Sequence, residues 1–246
     1  MMPKEVWRKT VSSQSAPHLS RREILEAGAR VFVDVDYDEA TMTDISRSAG
    51  VSEEKLREVF ETKEGFAEAL LEQSVVDISM VVARDPEPVI LQELLNAGNA
   101  LVTRSDDVLQ QASARLTLEG ANGHSNSWNG LRYWVQYVEG ILLRSLKNGE
   151  LMGRCTEVRT VAESIVSSFA GLRLISLASA GDVSLLGSRM PTLFKTILPS
   201  ITPPGTLERL RWRPAGASGT TALAGLTGYP ASRTAQPASW HHPQRR

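Results

Sequence analysis

Apolar positions in this chain recur every three or four residues, and no stretch alternates convincingly at the period of a half-buried strand. The pattern therefore predicts an all-helical protein. A first amphipathic helix runs from Arg21 to Val33 behind an N-capping Ser20, with Ile24, Leu25, Ala27, Gly28, Val31 and Phe32 at helical spacing. Thr62 caps a long helix from Lys63 to about Arg84, on the stripe Phe66, Leu70, Leu71, Val75, Ile78, Met80 and Val82, and Pro86 and Pro88 stop it. Five more helices are expected: Val89 to Arg104, Asp106 or Asp107 to Glu119, Leu131 to Lys147 closed by Asn148-Gly149, Thr156 to Ala180, and Val183 to Leu198. A glycine- and asparagine-rich loop, Gly120 to Gly130, interrupts the series.

Between the first and the long helix lies the stretch on which the rest is organised, MTDISRSAGVSEEKLREVFETKEGF from Met42 to Phe66. Asp44 to Ala49 turns Ile45 and Ala49 inward, Gly50 accepts a positive φ without steric cost, and Ser52 caps a helix carrying Leu56, Val59 and Phe60 on one face. This is the spelling of a helix-turn-helix, with an ordinary helical hairpin as the other reading.

Composition narrows the partners. The 246 residues carry a net charge of only −1, so a nucleic acid would have to be held by local basic patches. A single cysteine, Cys155, excludes an internal disulfide and a multi-thiolate metal site and suits a reducing, cytoplasmic setting. The N-terminus lacks a secretory core, and the longest uncharged run, Pro214 to Ser232, would not span a membrane. Residues 1–19, with Lys4, Arg8 and Lys9, read as a flexible basic arm; residues 20–66 form the helix-turn-helix domain and 67–201 a six-helix bundle; 202–246 read as a low-complexity, disordered tail.

In this order of parts, TDISRSAGVS, a helix ending in Phe60 and Thr62-Lys63-Glu64 opening the long helix resemble the N-terminal domain of TetR-type repressors. The C-terminal half looks like the γ-butyrolactone (autoregulator) receptor branch. The residues carrying that likeness are Ala114-Arg115-Leu116-Thr117-Leu118-Glu119, Trp134 with Val138, Leu142, Leu143 and Gly149-Glu150-Leu151, and Phe169-Ala170-Gly171. The resemblance covers about Ser20 to Ile201. It implies a homodimer on a pseudo-palindromic double-stranded DNA operator, with a small-molecule signal in the bundle and no cofactor. Thr43 and Lys63 would then approach phosphates at helix N-termini, and Trp134 would line the pocket.

This chain departs from the family at the reading helix. Glu53 and Glu54 stand where a basic residue and glycine are usual, Arg57 replaces an aromatic, and Val59 a histidine. From Thr43 to Phe66 six acidic residues face four basic ones. Either Glu53 and Glu54 accept from cytosine while Ser52, Lys55 and Arg57 contact guanine or phosphate, or the surface repels DNA and the protein works by pairing with a true repressor.

Trp134, Tyr137 and Val138 read as pocket wall or as plain core; Gln111, Arg115 and Thr117 are the polar groups a pocket would need, though Gln111 and Arg115 also fit a solvated i, i+4 pair. Val161, Ile165, Phe169 and Leu172 with Leu186, Leu193, Phe194 and Ile197 suggest a dimer face or simple interior packing. His124, His241 and His242 lack metal-site partners, and no catalytic triad, phosphate loop or HExxH motif is present, so neither a metal centre nor an enzyme is expected.

Overall fold

The computed structural model describes residues 19–121, 130–152, 157–178 and 184–212, and these form helices and connecting turns with no strand among them. The reading domain contains α1 (Arg21–Asp34), α2 (Met42–Ala49) and α3 (Glu53–Phe60). Then follow the longer helices α4 (Lys63–Ala83), α5 (Gln92–Thr103), α6 (Val108–Ala121), α7 (Leu131–Lys147), α8 (Val158–Ala178) and α9 (Ser184–Ile197).

Local chemistry sets the ends of these helices. The Ser20 hydroxyl accepts from the Glu23 backbone while the Glu23 carboxylate reaches back to the Ser20 N–H, and Thr41 and Asp44 repeat this reciprocal cap on α2. The Thr41 cap explains why α2 begins two residues before Asp44. Gly50 ends it at φ 67°, as the turn requires. At the close of α7, Gly149 takes φ 71°, which turns the chain so that Glu150 is buried. Its carboxylate accepts from the backbone N–H groups of Ile90 and Leu91, the turn that opens α5.

Two main apolar clusters result. One joins α1–α3 to the start of α4 and to α6 around Ile45, Leu56, Phe60, Phe66 and Leu116. The other joins α5, α7, α8 and α9 around Leu91, Ile141, Leu142, Ile165 and Phe194. Gly28 lets α1 pack closely on α2 and α4. A Cβ there would stand 2.6 Å from Phe66 Cζ and 2.8 Å from Ile45 Cγ2, nearer than packed atoms approach.

Two expectations are corrected. Met80 is 57% exposed and lies off the buried stripe of α4, which runs through Phe66, Leu70, Leu71, Val75, Ile78 and Val82. Order also continues past residue 201, through a 3₁₀ turn (Leu198–Ser200) and a short α10 (Pro204–Leu207) to Trp212. Proline here starts a helix rather than ending the fold, and Leu210 is buried against the second cluster. Gln92 clasps this segment through both hydrogen bonds of the Arg211 backbone, at 3.1 and 2.7 Å. The basic arm through residue 18, most of the Gly/Asn loop with His124, Cys155, and the tail from 213 with His241 and His242 lie outside the described residues.

Candidate functional site

The exposed face of α2 and α3 carries the residues expected to meet DNA, and its charges are largely engaged with one another. Thr43 donates its hydroxyl proton to Glu53 at 2.7 Å, and Arg57 donates to the same carboxylate from Nε and Nη2 at 3.0 and 2.7 Å. The Thr43 hydroxyl first, and Arg57 second, hold the Glu53 carboxyl below the usual range. Lys55 pairs with Glu58 at 2.9 Å and Arg47 with Asp44 at 3.0 Å, while Glu54 is exposed. Ser52 acts as cap, its side chain accepting from the Lys55 N–H.

Lys63 has a different place from the one expected at a phosphate. Its ammonium donates to the carbonyls of Tyr37 and Ala40 at 2.6 and 2.8 Å and lies 4.3 Å from the Tyr37 ring centroid. It clamps the α1–α2 turn to the start of α4, and these contacts occupy the group.

Inside the bundle α5, α6, α7, α8 and α9 enclose a cavity of about 90 Å³. That is room for several water-sized groups. Trp134, Tyr137 and Val138 of α7 line it, as does Thr117 of α6. Trp134 and Tyr137 meet edge to face with ring centroids 6.2 Å apart. Burial first, and Glu93 second, push the Tyr137 phenol up to about 12, so its hydroxyl keeps its proton at any physiological pH.

Gln111 and Arg115 are not at the cavity. The α6 face that lines it holds Gln110, Ser113, Ala114, Thr117 and Leu118, the i, i+3, i+4, i+7, i+8 set. Arg115 lies on another face and reaches α1 and the turn after it: Nη1 donates to Val33 O at 2.6 Å, and the guanidinium pairs with Glu119 at 2.9 Å and with Asp36. Its hydrogen bonds to the carboxylates of Asp36 first, and Glu119 second, raise its pKa. A second clamp completes the seam: Arg22 of α1 grips the buried Asp77 of α4 at 2.5 and 2.9 Å, and this pairing raises the arginine's pKa. One helix, α6, thus carries cavity wall and reading-domain contacts on separate faces.

Ile165, Phe169, Leu193 and Phe194 also line the cavity, so much of the stripe considered for a dimer face belongs to the interior. Among the described side chains of α8, Leu174 and Ile175 are left outside, 53% and 51% exposed. The stripe hides one functional candidate that the pattern did not single out. Arg173 of α8 lines the cavity, and the spacing Ile165, Phe169, Arg173 at i, i+4, i+8 was its only signal.

Residues 24–70 match the family described as bacterial regulatory proteins, tetR family. The A-factor receptor protein of Streptomyces griseus is 29% identical over 193 residues, which cover 77% of this chain and 66%, just under two thirds, of that protein. Full-length native TylP, a TetR regulator from Streptomyces fradiae, superposes with a TM-score of 0.66 at 26% identity, covering 78% of this chain and 90% of its own. A γ-butyrolactone receptor described as ArpA-like shares the fold at a TM-score of 0.52 and 20% identity, over 77% of this chain and 91% of its own.

Proposed function

We propose that this chain, a TetR-type regulator resembling the γ-butyrolactone receptors and not an enzyme, is a repressor released from its DNA operator by a small γ-butyrolactone, butenolide or furan-type signal. It acts in the cytoplasm as a homodimer on a pseudo-palindrome, controlling antibiotic or other secondary-metabolite genes. The observation that carries the reading is the double use of α6, whose Thr117 face lines the cavity while Arg115 holds Val33 and Asp36 at the edge of the reading domain. A ligand that fits better when α6 shifts would move α1, and with it α3, through that contact and through the long α4. Thr43, Ser52, Glu53, Glu54, Lys55 and Arg57 face the operator, and Leu174 and Ile175 support a subunit interface on the α8 side.

The acidic reading helix supports a second reading, in which the chain does not bind DNA but pairs with a related repressor as a heterodimer. Its ion pairs are exposed and weakened by solvent screening, which lets Lys55 and Arg57 turn to phosphates at little cost. That favours the first reading.

A salt-titrated binding assay on DNA upstream of neighbouring genes separates the two. Specific binding that weakens steeply with salt is expected. Absence of specific binding at low salt, with and without ligand, would end the repressor reading. In the same assay Trp134→Ala should abolish ligand-triggered release and leave operator affinity nearly intact; an unchanged response removes Trp134 from the site.

A further inference from the structure

We infer that the cavity takes a small amphiphile with a carboxylate head, and that the guanidinium of Arg173 receives it. This rests on the ligand-responsive reading above and narrows its ligand to an acid-bearing form, a furan-type acid or a ring-opened lactone, in place of a neutral lactone or butenolide.

The polar wall groups on α6 are already engaged inside the protein. Gln110 Nε2 donates to Ser74 O at 2.9 Å, Ser113 and Ser74 share a hydroxyl contact of 2.9 Å, and Thr117 Oγ1 donates to Ser113 O at 2.7 Å. Arg173 differs. Among the described residues it has no hydrogen bond and no ion pair, in a wall otherwise built largely from Leu94, Leu101, Val166, Phe169, Leu193 and Phe194. Burial is what lowers its pKa.

An arginine does not shed its charge in a protein, and a charge withdrawn from water without a partner is costly. Natural cores seldom retain one unless something binds it. The Trp134 indole N–H and the Tyr137 hydroxyl also lack hydrogen-bond partners among the described residues, and both can donate. The free polar groups of the cavity are thus mainly donors. Their complement is a head that only accepts, and a carboxylate meets the guanidinium fork with two parallel hydrogen bonds and cancels its charge. A neutral lactone supplies acceptor oxygens and leaves the charge uncompensated.

The pair γ-decalactone and 4-hydroxydecanoate tests this, since one is the ring-closed, neutral form of the other. Calorimetric titration of the full chain at about pH 8, where the hydroxy acid stays open and ionised, should show the acid binding about tenfold or more tighter, the weight of a hydrogen bond to a charged group. Arg173→Met should abolish that preference, and Arg173→Lys should keep part of it. Without ligand, Arg173→Met should melt at the same or a higher temperature, because an apolar side chain replaces an unpaired charge. A clear drop in melting temperature would mean that Arg173 has a structural partner, and would overturn the assignment. Equal affinity for acid and lactone, a preference that Arg173→Met retains, or no binding of either at millimolar concentration would also overturn it. The ligand-responsive reading fails separately, on DNA binding and release.

Discussion

Arg57 on α3 and Arg173 on α8 are the same side chain in opposite circumstances. Arg57 stands half in water, 2.7 Å from Glu53, and its neighbours Lys55 and Arg47 are paired in the same way. Arg173 is half-buried at the wall of an apolar cavity and has no partner among the described residues. The paired charges are the weakly held ones, because water and salt screen an exposed pair, whereas burial raises the cost of an isolated charge by several kcal/mol. The face proposed to read DNA is therefore electrostatically soft, its charges held only by weak pairs. The cavity is stiff in its demand and selects what enters.

The sharpest test of this contrast between exposed and buried charge is Glu150, which is 3% exposed and holds the N–H groups of Ile90 and Leu91 at 2.9 and 2.8 Å. Glu150→Ala leaves both donors buried without a partner, at about 1–3 kcal/mol each, so a loss of about 3 kcal/mol is expected. Urea unfolding at a fixed protein concentration measures it, which holds any contribution from self-association constant. Deleting Lys55 or Glu58 should cost less than about 1 kcal/mol. If Glu150→Ala cost no more than those, burial would not be what separates the two regions.

Next in size is the link between the regions. Arg115→Ala removes the contacts from α6 to Val33 O and Asp36 while leaving the cavity wall untouched. Ligand affinity should stay within about twofold of wild type, and ligand-driven loss of operator affinity should weaken about tenfold, within the usual range of coupling energies. Full release by ligand in this variant would move the coupling to α4 and the Arg22–Asp77 clamp.

The same arginine shows where the sequence stops being legible. Helix positions and most ends were readable because capping and apolar periodicity are local: the bounds of α7 fall at Leu131 and Lys147 as the pattern predicts. Which way α6 is rotated was not readable, since one residue is a turn of about 100° and only packing fixes the absolute angle. That rotation puts Gln110 rather than Gln111 at the cavity and sends Arg115 to the seam. Arg173 escaped for a related reason. A basic residue near the end of a helix ordinarily reads as a solvated partner of the helix dipole, and its place at the wall follows from how α8 packs between α7 and α9. The segment from Pro203 to Trp212 was hidden by its prolines, which mark a stop in sequence and begin α10 in the fold.

The smallest expected effect lies on the soft side of the comparison. Glu53→Lys removes the Arg57 and Thr43 contacts and changes the local charge by two, yet the lost pair is exposed and screened, so the fold should be barely destabilised. Non-specific DNA affinity should rise a few-fold, and the salt dependence should steepen by about one phosphate contact. Acidification should not imitate the substitution. A carboxylate whose folded pKa is depressed contributes stability above its unfolded value and loses it only as pH falls through the folded one, so Glu53 stays charged down to the acid range. DNA affinity measured between about pH 6 and 8 should therefore carry no step from Glu53, while the lysine variant binds tighter across that whole window. If Glu53→Lys leaves both affinity and salt slope unchanged, that side chain points away from the DNA, and the acidic face of α3 is not the surface that limits binding.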